Sequence, residues 1–176
     1  MNIAVVTLNR GRGSGVVARH QVRALQARGH DAYLVHSGAP AGDLPVHEVP
    51  LSLEVIPVHE YLPSEHDRQQ AVSTMDAEMA EWYIADFDAA LRSLDPAPDI
   101  IIGHHANVTA AATRRTEIPY VLFLHGTGIE PRHHGGYDDA TWGEIDAAIR
   151  AALGVIVVYM LLGYAWVWWT ARRKTR

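Results

Sequence analysis

Two apolar patterns alternate along the chain. Ile3-Ala4-Val5-Val6-Thr7-Leu8, Asp99-Ile100-Ile101-Ile102-Gly103 and Tyr120-Val121-Leu122-Phe123-Leu124 are short runs without polar alternation, the mark of strands buried on both faces. Asp31–His36 reads as a further strand, and Val46–Val49 as a short one stopped by Pro50. Between the strands, residues recur at helical spacing. Over 16–28 the repeating positions are Val17, His20/Gln21, Ala24/Leu25 and Ala27/Arg28, with Gly29 as a left-handed cap. Ser73-x-x-Asp76 resembles a capping box and opens a second helix. Its stripe of Met75, Met79, Trp82/Tyr83, Phe87, Leu91 and Leu94 reads as core rather than a ligand box. Residues 108–116 form a short helix and 139–152 an amphipathic one, with 155–158 as one more strand. Residues 51–68 carry Pro57 and Pro63 and read as irregular.

Strands alternating with helices predict an α/β fold, a Rossmann-like doubly wound parallel sheet. In such a sheet the ligand crevice lies outside the carboxyl ends of the strands. Three candidate stretches fall there: the loop Gly11–Gly15, the pair His104-His105, and His125-Gly126. A glycine loop opening a helix favours a phosphate, because free N–H groups and the helix dipole point at it. The spacing here is G-x-G-x-G, and Val35-His36-Ser37 stands where a dinucleotide site needs an acid. That disfavours NAD binding. Two readings stay open for the glycines: a tight turn that lets the helix pack, or a loop that approaches a phosphate or sugar.

With 176 residues the chain builds a core that stands alone. Its formal net charge of −5 argues against a nucleic-acid partner. Cysteine is absent, which removes disulfides, thiolate nucleophiles and zinc–thiolate sites and fits a reducing, cytoplasmic setting. Met1-Asn2 leads straight into a core strand, without a signal peptide. The eleven histidines include the pairs His104-His105 and His133-His134, but no helical H-x-x-x-H spacing, so no metal site is expected. Asp138, Asp139, Glu144 and Asp146 read as the solvated start of a helix rather than a catalytic pair. A Gly-x-Ser-x-Gly elbow is missing, so a serine hydrolase is unsupported.

Several motifs in order resemble a family. Ile3-Ala4-Val5-Val6, the glycine loop, Gly15-Val16-Val17-Ala18-Arg19-His20 and Ala24-Leu25-x-x-Arg28-Gly29-His30-Asp31 are similar to the first βαβ unit of the family 4 GT-B glycosyltransferases. Pro98-Asp99-Ile100-Ile101-Ile102-Gly103-His104 and Pro119-Tyr120-Val121-Leu122-Phe123-Leu124-His125-Gly126 resemble that family's later strand ends. The resemblance covers about residues 1–158, the N-terminal, acceptor-side domain. It implies retaining transfer from a nucleotide-sugar donor to an acceptor, without a bound metal or other cofactor. By the same resemblance, Gly13 and Gly15 let the backbone approach the donor diphosphate and acceptor, His125 points at the transferred sugar, and His104 and Gly126 line the substrate side. A family enzyme has a second Rossmann-like domain for the donor. Neither its E-x7-E glutamates nor a second glycine loop follows here, so the resemblance implies a truncated or split enzyme, inactive without a donor-binding partner.

Residues 159–176 depart from the pattern. The uncharged run Ala151–Trp169, followed by Arg172-Arg173-Lys174-Thr175-Arg176, has the length and flanks of a membrane span. It reads as a membrane anchor, a frameshifted end, or a soluble core segment. The anchor leaves a second function open: a membrane-tethered, non-catalytic Rossmann-like binding module.

Overall fold

The computed structural model describes residues 1–10, 13–38, 47–51, 53, 55–58, 69–124 and 137–152. In it the first apolar run is β1 (Asn2–Asn9), whose residues from Ile3 to Leu8 are all buried. β1 is hydrogen-bonded on one side to β2 (Asp31–Ser37) and on the other to β6 (Ile100–His104), both parallel. β3 (Glu48–Leu51) and β7 (Tyr120–Phe123) form the edges, giving the order β3-β2-β1-β6-β7 in a wholly parallel sheet. The doubly wound expectation holds.

Both faces of β1 are covered, which is why its sequence does not alternate. Val5 packs with Leu34 against Ala18 and Val22 of α1 (Ser14–Gln26). Ala4, Val6 and Leu8 belong to the larger core on the other face, with Tyr83, Phe87 and Leu91 of α2 (Ala77–Arg92). Val108, Ala111 and Ala112 of α3 (Val108–Arg115) join that core, as do Trp142 and Ile145 of α4, residues 139–152.

Four local expectations are corrected. α1 is turned so that Gly15, Ala18 and Val22 face the sheet, while Val17 is exposed. The cause is Gly15, whose close seat on the end of β1 sets the helix rotation. β3 runs through Pro50, which pairs with His36; an edge strand tolerates proline because one side of it needs no donor. The stretch expected to be irregular contains β4 (Ile56–Val58), paired in parallel with β5 (Gln69–Ala71). Strands of three residues are too short for periodicity to show. Ser73 lies in a 3-10 turn, Val72–Thr74, and α2 starts later, where the Asp76 carboxylate accepts from the Met79 amide at 2.8 Å. Within the apolar stripe Tyr83 is the buried aromatic, its hydroxyl donating to the Val55 carbonyl at 2.8 Å, and Trp82 is exposed.

Other features follow the sequence closely. Gly29 has φ +81°, and His30 N–H donates to the Leu25 carbonyl, closing α1. Asn107 caps α3 by accepting from the Thr109 amide at 2.9 Å, and Asp138 caps α4 from the Thr141 amide at 2.9 Å. Hydrogen bonds from Thr141 hold the Asp138 carboxyl below its ordinary pKa. Arg115 ties three helices together. It bonds both oxygens of Glu81 on α2 at 2.7 Å and both of Glu144 on α4 at 2.5 and 2.9 Å.

No helix among the described residues is long and apolar enough to cross a membrane. Residues 153–176, with most of the apolar run, the strand expected at 155–158 and the boundary at 158, lie outside the described residues.

Candidate functional site

The chain leaves β1 for β2 on one side, whereas β6 leads to β7 on the other. The connections after β1 and β6 therefore diverge, and the carboxyl ends of those two strands are the switch point at which such sheets place their ligand crevice. The structure brings Gly13, Gly15 and His104 to this edge. His125 and Gly126, which follow β7 in the chain, lie outside the described residues, as do Gly11 and Arg12.

The two glycines do different things. Gly13 is the N-cap of α1, exposed, with φ +39° and ψ −103°, and a Cβ built there meets none of the described residues within 4 Å. Gly15 is buried, and a Cβ on it would lie 2.5 Å from the Arg10 carbonyl oxygen and against the Asn9 oxygen. Gly13 thus stands clear of the other described residues, and Gly15 lets the helix start close to the strand it follows. α1 has no side-chain cap and no acidic residue in its first turn. The positive end of its dipole is not offset by a carboxylate of its own first turn.

His104 is fully buried. Its Nε2 lies 2.8 Å from Gln21 Oε1 on α1, so the ring nitrogen donates and Nε2 carries the proton. The ring stacks on Phe123 of β7, with centroids 5.7 Å apart and planes 19° apart. Its backbone carbonyl accepts from the Thr109 hydroxyl at 3.1 Å. His104 thus joins β6, α1 and β7 at the switch point. Its neighbour His105 is buried at φ +72°, the left-handed region that few residues other than glycine adopt and in which histidine is enriched along with asparagine and aspartate. Its amide donates to the Phe123 carbonyl at 2.9 Å.

A charged cluster beside the glycine loop was not foreseen from the sequence. Arg10 Nε stands 2.6 Å from Glu48 Oε1, and His36 Nε2 approaches the same oxygen at 2.9 Å. The Arg10 and Glu48 side chains are about nine-tenths buried and His36 completely so. Burial pushes the His36 pKa below its ordinary value, while the Ser37 carbonyl and Glu48 favour the charged ring and Arg10 opposes it. Arg10 was visible in sequence as the residue before the loop. Its partners were not, because they depend on the register of β2 against β3. Among the described residues, no three His, Asp or Glu side chains form a group able to hold a metal ion.

Residues 12–158 match the model of the glycosyl transferase 4-like domain. The chain belongs to that family. In this glycosyl transferase 4-like domain the matched region runs from the glycine loop through β7 and α4. Among solved structures, one that is similar is the UDP-GlcNAc 2-epimerase from Methanocaldococcus jannaschii, at 11% identity and a TM-score of 0.42. The alignment covers 76% of this chain and 37% of the epimerase, so the chain spans little more than a third of that protein's length. No curated protein matches the chain.

Proposed function

We propose that this chain is the acceptor-side half of a retaining glycosyltransferase, working with a nucleotide-sugar donor held by a separate donor-binding domain. The observation that carries this reading is the family match from the glycine loop onward, on a single parallel sheet whose switch point lies beside that loop. In this reading Gly13 keeps the mouth of α1 clear for substrate, and the helix N-terminus faces the negative charge that builds on the leaving diphosphate. Gly15 serves by holding α1 close. His125 contacts the transferred sugar, Gly126 leaves room beside it, and His104 lines the acceptor side through the wall it builds with Gln21 and Phe123. In this reading the acceptor half comprises residues 1–158.

An amide perturbation map tests the placement. Free hexoses and hexose phosphates, added in turn to the full chain, are expected to move the resonances of Gly13, Ser14 and the turn from His105 to Asn107. Perturbations confined to α2 or to the free edge of β3 would overturn it.

A further inference from the structure

The start of α3 holds donors that the described fold does not use. Of its first-turn amides, those of Ala110 and Ala111 donate to the Asn107 carbonyl at 2.9 and 3.4 Å, and that of Thr109 donates to Asn107 Oδ1 at 2.9 Å. An amide only donates, so the atom that Thr109 meets is the carboxamide oxygen, and Nδ2 is the atom turned away from it. Asn107 is 1% exposed, and its Nδ2 has no hydrogen-bond partner among the described residues.

Tyr137 brings a second such donor to the same place. Its ring is buried edge-on to Trp142, with centroids 5.3 Å apart and planes at 79°, and its hydroxyl also lacks a hydrogen-bond partner among the described residues. The backbone group that acts on this hydroxyl is the Val108 amide, the first of α3, so the phenol lies at the helix start that Asn107 caps. Burial pushes the Tyr137 pKa up, which keeps the proton on its oxygen. The first turn of α3 has no acidic residue, and the Asp138 carboxylate is taken by the Thr141 amide of α4. Buried donors without acceptors are costly, and a fold keeps few of them.

We infer that the start of α3 is a binding site for an anionic oxygen, carried by a carboxylate or a phosphate group and held by Asn107 Nδ2 and the Tyr137 hydroxyl. Both side-chain groups are donors there, and the partner that suits donors alone is an oxygen that only accepts. A carboxylate or phosphate oxygen does so without bringing a proton that itself needs an acceptor. The positive pole of α3 favours negative charge at the same spot. Removal from bulk water strengthens each hydrogen bond made to it. This inference goes beyond the acceptor-side reading and does not depend on it.

Titrating the isotope-labelled full chain with sodium acetate or sodium phosphate, at an ionic strength held constant with NaCl, tests the site by NMR without any sugar. Both ions are small enough to reach a buried position by local opening. The Asn107 carboxamide protons and the Val108 amide are expected to shift and saturate with at least one of them. Acetate alone identifies a carboxylate site, phosphate alone a phosphate site. Asn107→Asp keeps an oxygen for the Thr109 amide, so α3 stays capped, but it puts an acceptor where the donor stood, and the Val108 shift is expected to vanish. Tyr137→Phe keeps the ring against Trp142 and removes only the hydroxyl; binding is expected to weaken about tenfold, as for the loss of one hydrogen bond to a charged group. No saturable shift with either anion, a Val108 shift unchanged in Asn107→Asp, or a Tyr137→Phe chain that binds as tightly as the parent would each overturn the site. Should Asn107→Asp not fold, the parent titration and Tyr137→Phe decide. Any of those results leaves the acceptor-side reading standing, and a failure of sugar binding leaves the anion site standing.

Discussion

At Gly15 one methyl group decides whether α1 can sit on the sheet. A Cβ there would meet the backbone of Asn9 and Arg10 rather than a side chain that could swing aside. Relief requires the helix start to move. Gly15→Ala is expected to lower the unfolding free energy by about 2–3 kcal/mol, the upper range for overpacking, read from chemical denaturation. A variant as stable as the parent would show that the helix start is not held this closely. His36 carries a pH signature at the same scale. Its folded pKa lies below the ordinary 6.5 because the ring is buried. The unfolded chain therefore binds the extra proton first, and stability falls as pH drops below about 6.5 towards the folded value. Above that window His36 contributes no slope. Urea midpoints at a series of pH values should show this decline, and His36→Gln should flatten it.

Between helices, the contact that packing alone does not supply is Arg115. The Glu81 side chain is 57% exposed and that of Glu144 35% exposed, so solvent screens much of each pair. Arg115→Ala is expected to cost about 1 kcal/mol at low salt, and the loss should shrink in about 1 M NaCl. A loss unaffected by salt would mean that the arginine stem packs and its charge does little. The α2 core is worth more. Phe87 is fully buried among Tyr83, Ile84 and Leu91, and Phe87→Ala should cost about 3–5 kcal/mol; a cost under about 1 kcal/mol would contradict the packing described. Elements like these were the legible part of the sequence. Strands buried on both faces and long apolar stripes are set by local composition, and β1, β6, β7, α3 and the start of α4 were read close to their bounds, whereas α2 was found but begins four residues later than read. The rotation of α1 was not legible, because Gly15 packs against atoms of the preceding strand rather than along its own helix. β4 and β5 were missed because each is three residues long and stabilised by pairing with the other. Of the site, the glycine loop and His104 were visible as residue types in suggestive places. The Gln21–His104 bond and the Arg10–Glu48–His36 cluster exist only through tertiary register, so no spacing in the chain announces them.

At the scale of the whole molecule, the described residues form one five-stranded parallel sheet with a single switch point, together with a separate two-stranded pair. Sugar transfer from a nucleotide donor needs two surfaces, one that orients the attacking hydroxyl and one that holds the diphosphate as charge develops on it. The family membership and the placement of Gly13, Gly15 and His104 support the first surface. In the proposed function the second surface belongs to a separate donor-binding domain. The most direct measurement is the release of UDP from UDP-glucose and from UDP-N-acetylglucosamine by this chain alone, with and without a panel of hexose acceptors. No release above the blank is the predicted result, with turnover appearing when a donor-binding domain is supplied in trans. Sustained, acceptor-dependent release by the chain alone would contradict the account, because the donor surface would then lie within these 176 residues.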